Sequence, residues 1–196
     1  MREPNLEKLN ELVGKLVGDI GVSLAGASIL LGDRLGLYKA MADGEPVAPS
    51  DLAKKTKLHE RYVREWLCGQ AASGYVNYDS EKDKFSLSPE QAMTFAVEES
   101  PAFFAGAFDI VQSTYLDEPK VAEAFRTGKG VGWHEHSKCL FSGTERFFRP
   151  GYNANLVSNW IPALESVEEK LKAGDSSTAN VMACSGESEK LSFSES

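Results

Sequence analysis

A chain of 196 residues with 42% apolar side chains is long enough for one domain, or one and a half, and can fill a real core. With 21 Lys and Arg against 29 Asp and Glu, the formal net charge of −8 works against nonspecific attraction to nucleic acid or anionic lipid and excludes a basic protein. Three scattered cysteines, Cys68, Cys139 and Cys184, make no disulfide framework, and the start, Met1 to Lys8, has no apolar signal core, so a reducing, cytoplasmic setting is expected.

Leu6, Leu9, Val13, Leu16 and Val17 recur at three- and four-residue steps and predict an amphipathic helix over 5–18. A second, apolar helix is expected from about 20, running through Leu35, Leu37, Tyr38 and Met41 to Asp43-Gly44 and Pro46, with Gly32 or Gly36 as a break. Its uncharged part, Ile20 to Gly32, is shorter than the roughly 20 residues that span a bilayer, so no membrane contact is expected. It reads as a buried core helix. The other reading is a helix-pairing surface, because Gly21, Ala25, Gly26, Ala27 and Ser28 let another backbone come close.

Ser50 and Asp51 supply a capping oxygen and a charge for a short helix to about Lys57. Tyr62, Val63, Trp66, Leu67 and Gln70 keep helical spacing over 60–73 until Gly74. Tyr75 to Tyr78 and Phe85 to Leu87, separated by a polar turn, alternate as a hairpin does. A helix-turn-helix followed by a hairpin is a winged helix.

Ser88-Pro89-Glu90-Gln91 has the spacing of a capping box and starts a helix. Ser100-Pro101 predicts another to about Gln112, and Pro119 a third ending at Thr127-Gly128. Residues 131–150 are expected to be mostly loop, with a short helical piece over 144–148, and 151–172 to hold one or two helices. The fold class is therefore mostly α: a helical and winged-helix unit at 1–90, then a helical cap or linker at 91–173. From Gly174 to Ser196 seven serines and no periodic pattern predict a disordered tail.

A winged helix most often places its second helix in DNA. Residues 45–90 carry seven basic and eight acidic side chains, a net of −1, and Glu60 and Glu65 flank Arg61 and Arg64. That balance favours a structural or dimer-forming role over DNA reading, with a transcriptional regulator as the alternative. His134, His136 and Cys139 are zinc-type donors at poor spacing, so local hydrogen bonding or a pocket lining is preferred over a metal site. Phe103, Phe104, Phe108, Phe141, Phe147, Phe148, Tyr152 and Trp160 read as core, or as an aromatic wall for a flat substrate. Gly128-Lys-Gly-Val-Gly132 lacks the rest of a phosphate loop and reads as a helix terminator.

Leu31-Gly-Asp-Arg-Leu-Gly-Leu-Tyr38, Ser50-Asp-Leu-Ala-Lys-Lys, Glu60-Arg-Tyr-Val-Arg-Glu-Trp-Leu67 and Ser73-Gly-Tyr-Val76, continued by Trp133-His-Glu-His136, Phe147-Phe-Arg-Pro-Gly-Tyr152-Asn and Trp160-Ile-Pro-Ala163, together resemble a known arrangement. It is the N-terminal region of S-adenosylmethionine-dependent methyltransferases with a leading winged helix, similar to small-molecule O-methyltransferases. The resemblance covers about 170 residues. It implies a winged helix used for dimerisation, as a homodimer or with a full-length relative, and for closing over a small-molecule acceptor, with Trp133, His134, Phe147, Tyr152 and Asn155 facing the pocket. The family's acidic, glycine-rich cofactor turn should follow a strand near 178, where this chain has Ala179-Asn-Val-Met-Ala-Cys184-Ser-Gly186. The expectation is therefore a truncated or divergent product that binds no S-adenosylmethionine and is inactive alone, or a regulatory fragment.

Overall fold

The computed structural model describes residues 3–164 and 166–174. The expected tail, including Val181 to Cys184 and Gly186, lies outside the described residues apart from Gly174. Eight α-helices and one two-stranded sheet are present among them.

Helix α1 runs unbroken from Leu6 to Arg34, capped by the Asn5 side chain, which accepts from the Glu7 and Lys8 amides. This corrects the expected division near residue 19. Nothing there demands a break, and the Lys15–Asp19 ion pair at 2.6 Å bridges the turn across it. The chain breaks instead at Gly36, whose φ of 68° is open to glycine at little cost, and α2 (Leu37–Ala40) follows. The expectation of a buried helix over Ile20–Gly32 is also overturned. Ile20, Val22 and Leu24 are at least 60% exposed, and burial begins only at Ile29 and Leu30.

Helices α3 (Pro49–Thr56) and α4 (Glu60–Ala72) form the helix-turn-helix, and β1 (Asn77–Asp79) pairs antiparallel with β2 (Lys84–Ser86) as the wing. The cap of α3 is Ala48, not Ser50, because Pro49 already occupies the first turn. Val47 and Phe85 exchange backbone hydrogen bonds at 2.8 and 2.9 Å, which ties the segment before α3 to the wing. Helix α5 (Pro89–Phe95) starts with the expected capping box between Ser88 and Gln91.

These elements share a core of Leu37, Tyr38, Leu52, Val63, Leu67 and Phe85, each nearly inaccessible. A polar chain crosses it. The Tyr38 hydroxyl donates to Gln70 Oε1 at 2.5 Å, Gln70 Nε2 donates to Ser28 Oγ at 2.8 Å, and the Trp66 indole donates to the Ser28 carbonyl at 3.0 Å. Burial pushes the Tyr38 phenol well above its ordinary value, so it remains a donor. The end of α1 is thereby fixed to α4 by bonds whose partners are all satisfied.

Two further corrections concern α6, which spans Ala107–Thr127. No helix starts at Pro101, because the Ser100 hydroxyl accepts the Ala102 amide in a local turn and Phe103 and Ala105 are drawn into the core. Pro119 sits inside α6 and does not open a new helix. The carbonyl that loses its partner belongs to exposed Tyr115, where water can satisfy it, while Ser113 and Asp117 on the opposite side are buried. The region expected to be mostly loop is largely helix α7 (Lys138–Asn155), preceded by a 3₁₀ turn at Trp133–Glu135. A π turn, Leu156–Trp160, leads toward α8 (Val167–Lys172).

The α1–α4 contact offers a direct check. A Cβ added to Gly32 would lie 2.2 Å from Cζ2 of Trp66. Alanine gains up to about 1 kcal/mol of helix propensity, but the overlap displaces the indole and its bond to Ser28. Gly32→Ala should therefore lower stability by about 1–3 kcal/mol, read from the urea midpoint; an unchanged midpoint would show that the ring moves freely.

Candidate functional site

The region after the winged helix is built on α6 and α7, which approach closely where glycines remove side chains. A Cβ on Gly143 would meet Asp109 Cβ at 2.6 Å and the Ile110 amide at 2.9 Å, and one on Gly106 would meet Arg146 Cβ at 2.9 Å. This closeness places Arg146 over the end of α1. Its guanidinium pairs with Asp33 at 2.7 and 3.0 Å, with Asp109 at 3.2 Å and with Glu98 at 3.3 Å, and lies 5.4 Å from the centre of the Phe103 ring. Arg34 completes the cluster, donating to Asp109 at 2.7 Å and Gln112 at 2.6 Å. The bonds to Asp33 raise the Arg146 pKa further, so the guanidinium stays charged.

A second polar centre holds the turn before α7. Asp117 is nearly buried on α6 and accepts from the Ser137 amide at 3.1 and 2.9 Å, the Ser137 hydroxyl at 3.2 Å and Lys120 at 3.0 Å. His136 Nδ1 lies 3.0 Å from the same carboxylate. Because the Ser137 amide above all, with Lys120 and His136, holds the Asp117 carboxyl far below the usual range, it is ionised and Nδ1 must carry the proton. Lys120 also donates to the Glu135 carbonyl. His136 therefore bonds to α6, 19 residues away in the chain, and not within its own loop as expected.

The aromatic residues fall along α7. Phe141, Phe148 and Tyr152 are spaced by seven and four residues, which puts them on one face. Trp133, 65% exposed, packs edge-on against Phe141 at 5.2 Å, and Tyr152 against Trp160 at 5.5 Å, so an exposed stripe runs from the 3₁₀ turn to the π turn. From Phe141 to Tyr152 it is about 16 Å long.

Of the residues expected to face a pocket, Trp133 lies at one end of this stripe and Tyr152 near the other, against Trp160. Phe147 turns toward another face, against Phe104 at 4.9 Å. His134 is exposed beside Gly132. Asn155 bonds to near neighbours in the chain, donating to the Gly151 carbonyl of α7 and accepting from Asn159 of the π turn, both at 3.0 Å. The five thus do not converge on one enclosed cavity. Sequence reasoning missed the Arg146 and Asp117 clusters, which join residues far apart in the chain. It also missed a groove of about 280 Å³ between α1 and α6, lined by Ala27, Leu30, Leu31, Phe108, Val111 and Tyr115 among others.

On the winged helix, Arg64 of α4 is not free for phosphate. It is paired with Asp83 of the wing at 3.2 and 2.8 Å.

Residues 23–96 match the family model of the Rv2258c-like winged HTH domain. Among solved structures the chain is similar to the mitomycin 7-O-methyltransferase MmcR, at 18% identity and a TM-score of 0.55, over 76% of this chain and 47% of that one. It is also similar to the structure of PigF with SAH, at 10% identity and a TM-score of 0.52, over 83% of this chain and 49% of that one. The likeness at these identities is one of fold, and the chain spans about half the length of either structure. No curated protein matches it by sequence.

The Asp117 centre makes the α6–α7 region acid-sensitive. A carboxylate held below its unfolded value of ~3.9 contributes its full stability above that pH and loses it as pH falls further. Asp117→Asn should therefore destabilise the protein more at pH 7 than at pH 3, measured by urea denaturation at both; a gap of equal size at the two pH values would contradict the assignment.

Proposed function

We propose that residues 3–174 form the subunit-pairing and substrate-capping part of a class I S-adenosylmethionine-dependent methyltransferase acting on a small molecule in the cytoplasm. The observation that carries this reading is the exposed aromatic stripe of α7, held on the winged helix by the Arg146 cluster. Two comparisons support it: the winged HTH match, and the fold shared with an O-methyltransferase and with PigF, whose structure contains SAH, the molecule left when the donor gives up its methyl group. The Arg64–Asp83 pair and the net charge of −1 over residues 45–90 support a winged helix that serves assembly in preference to DNA.

Methyl transfer needs an acceptor atom in line with the methyl–sulfur bond, at near-attack distance and shielded from water. Flat, rigid aromatic side chains suit that shielding. Trp133 and Tyr152 would cover an acceptor from the stripe, with Phe147, His134 and Asn155 as the remaining pocket candidates. A small organic acceptor with an aromatic ring fits such a surface best. Pairing, with a second copy or a full-length relative, uses the exposed apolar face of α1. In this reading the described residues serve the acceptor and the subunit contact, and the methyl donor is bound elsewhere.

Calorimetric titration of the 196-residue chain with S-adenosylmethionine and with SAH tests the division of labour. No binding heat is expected from either. Stoichiometric binding at micromolar affinity would overturn the reading and place a donor site within this chain.

A further inference from the structure

The groove between α1 and α6 lies apart from the aromatic stripe: none of its lining residues belongs to α7. Ala27, Leu30 and Leu31 of α1 face Phe108 and Val111 of α6 across it. The Phe108 ring comes so near α1 that a Cβ on Gly26 would lie 3.3 Å from it. A ligand would not have to assemble these walls, because Ser28 ties α1 to α4 and Arg34 ties it to α6.

Along α1 the wall runs about 16 Å, from Ser23 to Arg34, and its free donors gather at the Arg34 end. Arg34 uses Nη2 alone for its two bonds, to Asp109 at 2.7 Å and to Gln112 Oε1 at 2.6 Å. Arg34 Nε and Nη1 and Gln112 Nε2 have no partner among the described residues, and none of the three is buried. The acceptors beside them are already taken, Gln112 Oε1 by Arg34 and the two Asp109 oxygens by Arg34 and Arg146. At the other end the Ser23 hydroxyl donates to the Asp19 carbonyl at 2.9 Å. One end of an apolar groove therefore offers N–H groups and asks for an oxygen.

The kind of oxygen follows from geometry and charge. Each two-pronged edge of a guanidinium includes Nη2, whose hydrogens are spent here, so Nε and Nη1 cannot grip both oxygens of one carboxylate. Arg34 and Arg146 also stand among Asp33, Asp109 and Glu98, two positive charges against three negative. A full anion gains little from such a neighbourhood. An uncharged carbonyl meets the donors without that repulsion.

We infer that this groove is a binding site for a neutral, largely apolar small molecule that carries a carbonyl oxygen at one end. The carbonyl accepts from Arg34 and Gln112, and the apolar body covers Leu30, Leu31, Phe108 and Val111. The volume of about 280 Å³ is close to the lower end, roughly 300 Å³, of small-molecule sites and suits a body the size of a fused ring pair. A second copy of the chain laying apolar side chains over the same walls would strip water from these donors and leave them unpaired, which favours the small molecule as the occupant. The site is independent of the methyltransferase reading.

Binding of Prodan, a neutral naphthyl ketone whose emission moves to the blue away from water, tests the site in the full chain. Acetylnaphthalene should displace it about tenfold better than isopropenylnaphthalene, which keeps the shape and replaces the oxygen with a methylene, and better than anionic naphthoate. Ala27→Phe, a change at an exposed wall position, should abolish the blue-shifted emission at an unchanged urea midpoint. Gln112→Leu should bring the ketone and the alkene close to parity. Equal displacement by ketone and alkene in the parent chain, or tighter binding of naphthoate, would overturn the proposal. Emission that survives Ala27→Phe and is lost in Phe148→Ala would also overturn it, by placing the dye on the α7 stripe. So would a chain that takes up no dye; sedimentation as a dimer would then give the groove to a second copy. The donor titration decides the methyltransferase reading separately.

Discussion

The bond set of Arg146 is the constraint on which the rest of the molecule depends. One guanidinium reaches Asp33 at the end of α1, Asp109 on α6 and Glu98 in the segment between α5 and α6. The Asp33 and Asp109 side chains are almost buried, so without Arg146 they would have too few partners, a situation that costs several kcal/mol. The cluster therefore fixes the α6–α7 pair against the winged helix and sets where the aromatic stripe points. Gly106 and Gly143 are part of the same constraint, since any side chain there would push α7 and its arginine away.

Two apolar surfaces leave this frame in different places. One is the face of α1, carried outward from the winged helix; the other is the stripe of α7. In the proposed function the first meets another subunit and the second an acceptor. The Asp117 centre belongs to the second surface, because it pins the 3₁₀ turn that carries Trp133 through Ser137 and His136.

Signals that act within one turn were legible in the sequence. The capping box at Ser88 and Gln91, the stop after Thr127 and the hairpin between Tyr78 and Phe85 each depend on neighbours a few residues apart. Two short helices followed by a hairpin pointed to the winged helix, and residues 23–96 match a family model of that kind. What failed depends on tertiary contacts. Pro119 looked like a helix start, yet it lies inside α6, and Pro150 likewise lies inside α7. Gly143 weakened the helical signal of α7 because it serves close approach and not helix propensity. Arg146 and Asp33 stand 113 residues apart, beyond any local pattern. The aromatic residues of the candidate site were visible as composition. Their sorting into an exposed face and the inward-turned Phe147 required the phase of a helix that the sequence did not reveal.

The central claim is that the Arg146 cluster holds the α6–α7 pair on the winged helix. Hydrogen exchange on Arg146→Met tests it most directly, because it reports each element separately. Amides of α6 and α7 should lose protection while those of α4 and β2 keep theirs. Uniform loss across both parts, or unchanged protection in α7, would contradict the account.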